Sequence, residues 1–240
     1  MTTSDRDRLE QIGHEHRDVS GGWLRPAVFG AMDGLVTNVS LIAGVGGGGG
    51  SQHAILLTGL AGLAAGAFSM ATGEFVSVSS QNELVAAEVD KEQHELTHNP
   101  VAEQAELVGM LRSRGISAAT ARLAAAEISA HPDKALAIHA FEELGVNPAE
   151  LPSPYVAAGA SLGAFAVGAL IPLLPYLFGG NALWLALGLA ALAAVVGGGL
   201  VARLTSRPFW RGALRQLVLG ALAAGATYLI GLAVGGMATG

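Results

Sequence analysis

Long apolar runs and one long polar interval divide this chain. Pro26–Val45 (PAVFGAMDGLVTNVSLIAGV) is apolar over twenty residues, enough for a helix to cross hydrocarbon about 30 Å thick. GGGGGSQ at 46–52 reads as a flexible turn, and a second run extends from His53 to about Ser80. Hydrophobicity collapses over 81–153. It returns from Pro154 to about Phe178, then over Asn181–Leu204 and Gly212–Met237. The pattern predicts an all-α membrane protein with five transmembrane helices and a short-helix domain inserted between helices 2 and 3. The chain divides into a tail over 1–24, helices 1 and 2 over 25–80, the insert over 81–153, and helices 3 to 5 over 154–240.

Punctuation inside the insert predicts four short helices. Asn82–Thr97 continues from the second span and stops at Asn99-Pro100. Pro100 opens the next helix, which runs to about Arg114 before Gly115. Ser117 starts a third, ending near His131-Pro132, and Asp133–Leu144 is the fourth, stopped by Gly145. Proline at a first turn and glycine just past a last turn are the ordinary boundary signals.

Charge orients the chain. All thirteen Lys and Arg lie before the first span (Arg6, Arg8, Arg17, Arg25), in the insert (Lys91, Arg112, Arg114, Arg122, Lys134), or around the fourth-to-fifth connection (Arg203, Arg207, Arg211, Arg215). Five spans with the N-terminus inside put all of them on one side, the cytoplasm by the positive-inside rule. The insert is then cytosolic and the C-terminus outside. The first twenty residues hold no apolar run, so no cleavable signal peptide is expected.

Composition narrows the chemistry. Only 13% of residues are charged and 34 are glycine, against about 25% charged in soluble domains. A net charge of −6 argues against a nucleic-acid partner. The absence of cysteine excludes disulfides and thiolate metal sites. Glycines spaced four apart (Gly30/Gly34, Gly62/Gly66, Gly159/Gly163) suit close helix approach. Pro172 and Pro175 are expected to kink the third span.

Of nineteen acidic residues, five precede the first span, twelve lie in the insert, and only Asp33 and Glu74 fall inside spans. A carboxylate in hydrocarbon is costly and usually marks an ion or substrate path. Met70 lies four residues before Glu74, on the same helix face. Two carboxylates and a thioether would suit Mn2+ or Fe2+ over Mg2+ or Ca2+, and a low-dielectric surrounding also favours protonated carboxyls. Against this, a methionine in an apolar helix is commonly packing, and Glu74 is placed to snorkel toward the cytoplasmic end.

The insert repeats the theme. Glu88, Glu92 and Glu95 share one helix face, Glu103 and Glu106 lie one turn apart on the next, and His139, Glu142 and Glu143 lie within one turn on the fourth. A hairpin at Asn99-Pro100 would set Glu92 and Glu95 opposite Glu103 and Glu106. Such a set suits hard-to-borderline divalent ions, although a solvated acidic face explains most glutamate runs. Glu95-xx-His98 has the form used by di-iron bundles, which need two such motifs; no second is present.

WLRPAVFGAMDGLVTNVSLIAGVG (23–46), GLAGLAAGAFSMATGEFVSVSSQ (59–81) and SPYVAAGASLGAFAVGALIPLLP (153–175) resemble the vacuolar iron transporter family over about residues 20–240. The resemblance implies a five-helix membrane fold and a homodimer whose ion path runs between the first two helices of each protomer. It implies export of Fe2+, often also Mn2+ and other divalent ions, from the cytosol in exchange for protons, with no further cofactor. Asp33, Met70 and Glu74 match the path residues. Glu92, Glu95, Glu103 and Glu106 match the family's paired glutamates. His139 stands where the family places methionine, with Glu142 or Glu143 as the accompanying carboxylate. The compact chain suggests a bacterial inner membrane. Two alternatives are a membrane-anchored metal buffer or sensor that does not transport, and a di-iron ferroxidase.

Overall fold

A computed structural model describes residues 22–179 and 183–238, and these are helical with short connections. The expected tail up to residue 21, the 179–180 turn beyond Gly179 and the start of the fourth span at Asn181 lie outside the described residues. Helix α1 spans Leu24–Gly47, α2 Gln52–His98, α3 Pro100–Ser113, α4 Ala118–Ser129 and α5 Pro132–His139. After a π-helical turn, Ala140–Leu144, come α6 (Pro154–Leu170), a 3-10 turn (Ile171–Leu173), α7 (Leu174–Leu177), α8 (Leu183–Leu204) and α9 (Phe209–Ala238). Five helical stretches are long and apolar enough to cross a membrane: Leu24–Gly47, Gln52–His98, Pro148–Leu177, Leu183–Leu204 and Phe209–Met237. The chain is a multi-pass membrane protein.

The second span and the first helix of the insert are one object. Helix α2 runs for 47 residues without a break, about 70 Å at 1.5 Å per residue. Its far half therefore stands clear of any bilayer its near half crosses. Pro100 and Pro132 occupy first-turn positions of α3 and α5. Ser117 caps α4 by accepting from the Thr120 amide at 3.3 Å. Gly145, at φ +67°, ends the π-helical turn in the left-handed conformation that glycine adopts at least cost.

Helix α1 sits at the centre of the bundle, packed against α6, α9, α2 and α8. Hydrophobic burial drives helix association little in hydrocarbon, so close van der Waals packing between small residues has to do so. Here α1 and α6 meet backbone to backbone. A Cβ on Gly34 would collide with the carbonyl oxygen of Phe165, and one on Gly168 with that of Ala31. Gly62 and Gly66 of α2 instead receive the side chains of Leu41 and Phe165. The third expected glycine pair differs: Gly159 and Gly163 face open space.

Pro172 breaks the third span as expected, and the α-helix gives way to the 3-10 turn at Ile171. The last carbonyls of a helix lack intrahelical partners. Asn38, fully buried on α1, donates from Nδ2 to the Ala169 carbonyl at 2.6 Å. The break is thus held from the central helix. Helix α9 is the most peripheral, since its most apolar stretch buries none of its residues.

Gly34→Val and Gly168→Val are expected to destabilise the α1–α6 contact by at least the ~1–3 kcal/mol typical of overpacking. Gly159→Ala should be close to neutral. Thermal unfolding of the detergent-solubilised protein separates the two classes.

Candidate metal centre

Four elements meet at one imidazole. Glu92 comes from the distal half of α2, Glu103 from the first turn of α3, His139 from the end of α5, and Glu143 from the π-helical turn that follows. Glu143 is four residues from His139, so the local helix presents both to the same side. The hairpin at Asn99-Pro100 brings Glu103 back against Glu92. One ligand atom from each of the four residues lies within 4.8 Å of the others.

The geometry is asymmetric in donors. His139 is fully buried, and its Nδ1 lies 3.0 Å from Glu92 Oε1, 3.1 Å from Glu143 Oε1 and 3.7 Å from Glu103 Oε2. The ring hydrogen bond goes to Glu143. Glu92 Oε1 approaches outside hydrogen-bonding geometry and is buried without a partner, as is His139 Nε2. One N–H cannot serve three carboxylates, so the cluster is short of positive charge. The adjoining cavity is about 160 Å³, lined in addition by Glu88, Lys91, Glu95 and Glu106.

Electrostatics follow from that shortage. Burial pushes the Glu92 carboxyl up from 4.5 to about 7; Glu143, Glu103 and Glu106 add repulsion, and His139 opposes them. Burial also raises Glu103, reinforced by Glu106 and again opposed by His139. Glu103 sits where the α3 N-terminus favours an anion, but loss of solvation and like charges outweigh the helix dipole. A divalent cation would remove both penalties at once. Three carboxylates and an imidazole, with no sulfur, suit Fe2+, Mn2+ and similar hard-to-borderline ions.

The remaining predicted residues are distributed differently. Glu95 accepts from Asn99 Nδ2 at 2.6 Å, and Glu106 is exposed at the cavity rim. Glu88 pairs with Lys91 at 3.6 Å. Glu142 forms a 2.7 Å ion pair with Arg114 and stays out of the cluster, so Glu143 is the carboxylate that accompanies His139. The Glu88–Lys91 spacing was visible in the sequence. The Arg114–Glu142 pair joins the end of α3 to the π-helical turn and has no local signal.

Within the membrane bundle, Asp33 is half-buried and accepts from Thr37 Oγ1 at 3.3 Å. Met70 packs on the cluster of Ala67, Phe165 and Ala169. Glu74 is half-buried and has no hydrogen bond or ion pair among the described residues. Asp33 and Glu74 join no group of three or more His, Asp or Glu ligands among the described residues.

Fold and site together define a helical multi-pass membrane protein with a carboxylate–imidazole pocket carried on a stalk-like extension of its second span. Residues 24–232 match the model of the VIT family, and the chain belongs to that family. It is 30% identical over 239 residues to vacuolar iron transporter 1 of Oryza sativa subsp. japonica, covering 95% of this chain and 93% of that one. It is 35% identical to vacuolar iron transporter homolog 3 of Arabidopsis thaliana, over 86% and 80% of the two chains. Identity to the vacuolar iron transporter of Acanthamoeba castellanii is 38%, over 68% of this chain and 59% of that one. The match to vacuolar iron transporter homolog 1 of Oryza sativa subsp. japonica spans 47% of its length.

Metal binding must displace the Glu92 proton, so affinity should fall as pH drops below about 7. In metal-free protein the sign reverses. A raised carboxyl adds stability that is full below 4.5 and lost as pH rises through about 7. Calorimetric Mn2+ titrations and melting curves from pH 5 to 8 check both directions. Glu143→Gln should weaken Mn2+ binding about tenfold or more, whereas Glu142→Gln should leave it nearly unchanged.

Proposed function

We propose that the protein is a proton-coupled transporter of divalent metal, with Fe2+ and Mn2+ as substrates, moving them out of the cytosol. The observation that carries this reading is the continuity of α2. One unbroken helix bears Glu92 of the pocket and, toward the apolar half, Glu74 and Met70. Glu74 lies eighteen residues from Glu92, about 27 Å along the axis.

The carboxylate–imidazole pocket captures the ion on the cytosolic side, which the distribution of Lys and Arg assigns to the insert. Met70 and Glu74 receive it at the cytoplasmic end of the bundle, and Asp33 on α1 passes it outward. Protons replace the metal on Asp33 and Glu74 and reset the site. The exposed Phe29, one turn before Asp33, belongs to a face on which a second copy would oppose the two aspartates in a homodimer. The N-terminus is inside, the C-terminus outside, and a bacterial inner membrane is the proposed location. The protein carries its ion without chemical conversion.

A metal buffer would need the pocket but not Asp33. A ferroxidase would need Glu95 and His98 at one centre, yet Glu95 turns to Asn99 and His98 to the His94 carbonyl.

Asp33→Ala is expected to abolish Fe2+ flux in proteoliposomes carrying a proton gradient, with Mn2+ binding at the pocket retained. Full flux in that variant, or flux indifferent to the gradient, would defeat the mechanism. Oxygen consumption on adding Fe2+ without flux would identify the ferroxidase.

A further inference from the structure

Beyond the carboxylate pocket, α2 ends in a second arrangement of ligand-type side chains. Asp90, His94 and His98 recur at four-residue intervals and share one helix face. The two imidazoles stack, with centroids 3.9 Å apart and planes 24° from parallel, so they share one ion only after the rings rotate out of the stack to aim both lone pairs at it. Both are exposed to solvent.

The hydrogen bonding sets the chemistry of the pair. His98 Nδ1 lies 2.8 Å from the His94 carbonyl oxygen. A carbonyl can only accept, so Nδ1 carries the proton, and in the neutral ring the lone pair is on Nε2. That is the form in which imidazole binds a metal. The His94 ring makes no hydrogen bond among the described residues, so neither of its nitrogens is committed. Two histidines at i and i+4 on one helix face are the spacing by which helical metal sites present paired imidazoles. The neighbouring carboxylate, Glu95, is occupied by Asn99 and lies toward the other pocket.

We infer that His94 and His98 form a second metal site, an imidazole chelate for borderline divalent cations such as Zn2+, Cu2+ or Ni2+. Its ligand set differs from that of the pocket. Imidazole favours these ions, while carboxylate oxygen favours Mn2+. The chelate takes two protein ligands, with water completing the shell. It sits at the end of α2 farthest from the apolar half, where a competing cation would be held before reaching the carboxylates. The inference does not rest on transport.

The test is Zn2+ titration of the full-length protein in detergent, comparing the parent with His94→Gln/His98→Gln and with Glu92→Gln/Glu103→Gln. The histidine variant should lose one Zn2+ binding step and keep Mn2+ binding at the pocket. The glutamate variant should do the reverse. Each single histidine substitution should weaken that step by about tenfold or more. Cu2+ spin-echo modulation should lose the signal of two imidazole nitrogens in the histidine variant only; His14, His16, His53, His131 and His139 remain in every protein. Unchanged Zn2+ stoichiometry and Kd in the histidine variant would overturn the site. So would loss on substituting one histidine but not the other. Failure of the glutamate variant to lose Mn2+ would count against the pocket and leave the histidine site standing.

Discussion

Hydrocarbon offers a backbone no hydrogen-bond partner, and this constraint shapes the molecule. Each crossing segment must satisfy its own amides, which leaves helices as the spanning form here. Helix α2 carries the consequence furthest. Its ladder continues past the apolar half and ends at His98, beyond Glu92. The pocket is therefore built on an extension of a span, with its position along the bilayer normal set by helical rise.

The same constraint explains the packing. Without much help from hydrophobic burial between helices, α1 gains its place by close approach. Gly34 and Gly168 let it lie against the α6 backbone, and Asn38 takes up a carbonyl where Pro172 interrupts the third span. Asp33 is on this tightly held central helix, which fixes its height and orientation.

In the insert, electrostatics take over from packing. Glu92, Glu103 and Glu143 are brought together around His139 at a cost in solvation and repulsion visible in the raised Glu92 carboxyl. Clustered like charges, two of them largely removed from solvent, are retained where something compensates them. A proton does so in part, and a divalent cation more completely.

The sequence by itself determined the helices and much of the pocket's membership. Pro100, Ser117, Pro132 and Gly145 ended or began elements within a residue or two of where the structure has them, because these residues restrict or free the backbone locally. Spacing also assigned Glu92 and Glu103 to facing helix surfaces. It could not tell them from Glu88, Glu95 and Glu106, since residues sharing a helix face still diverge by tens of degrees. Tertiary packing decided which carboxylates turned inward, seated His139 at full burial, and drew Glu142 away to Arg114. It likewise used Gly34 against the α6 backbone and left Gly159 and Gly163 facing outward. Local backbone preferences are written in neighbouring residues, whereas the choice among equivalent side chains depends on contacts between segments distant in the chain.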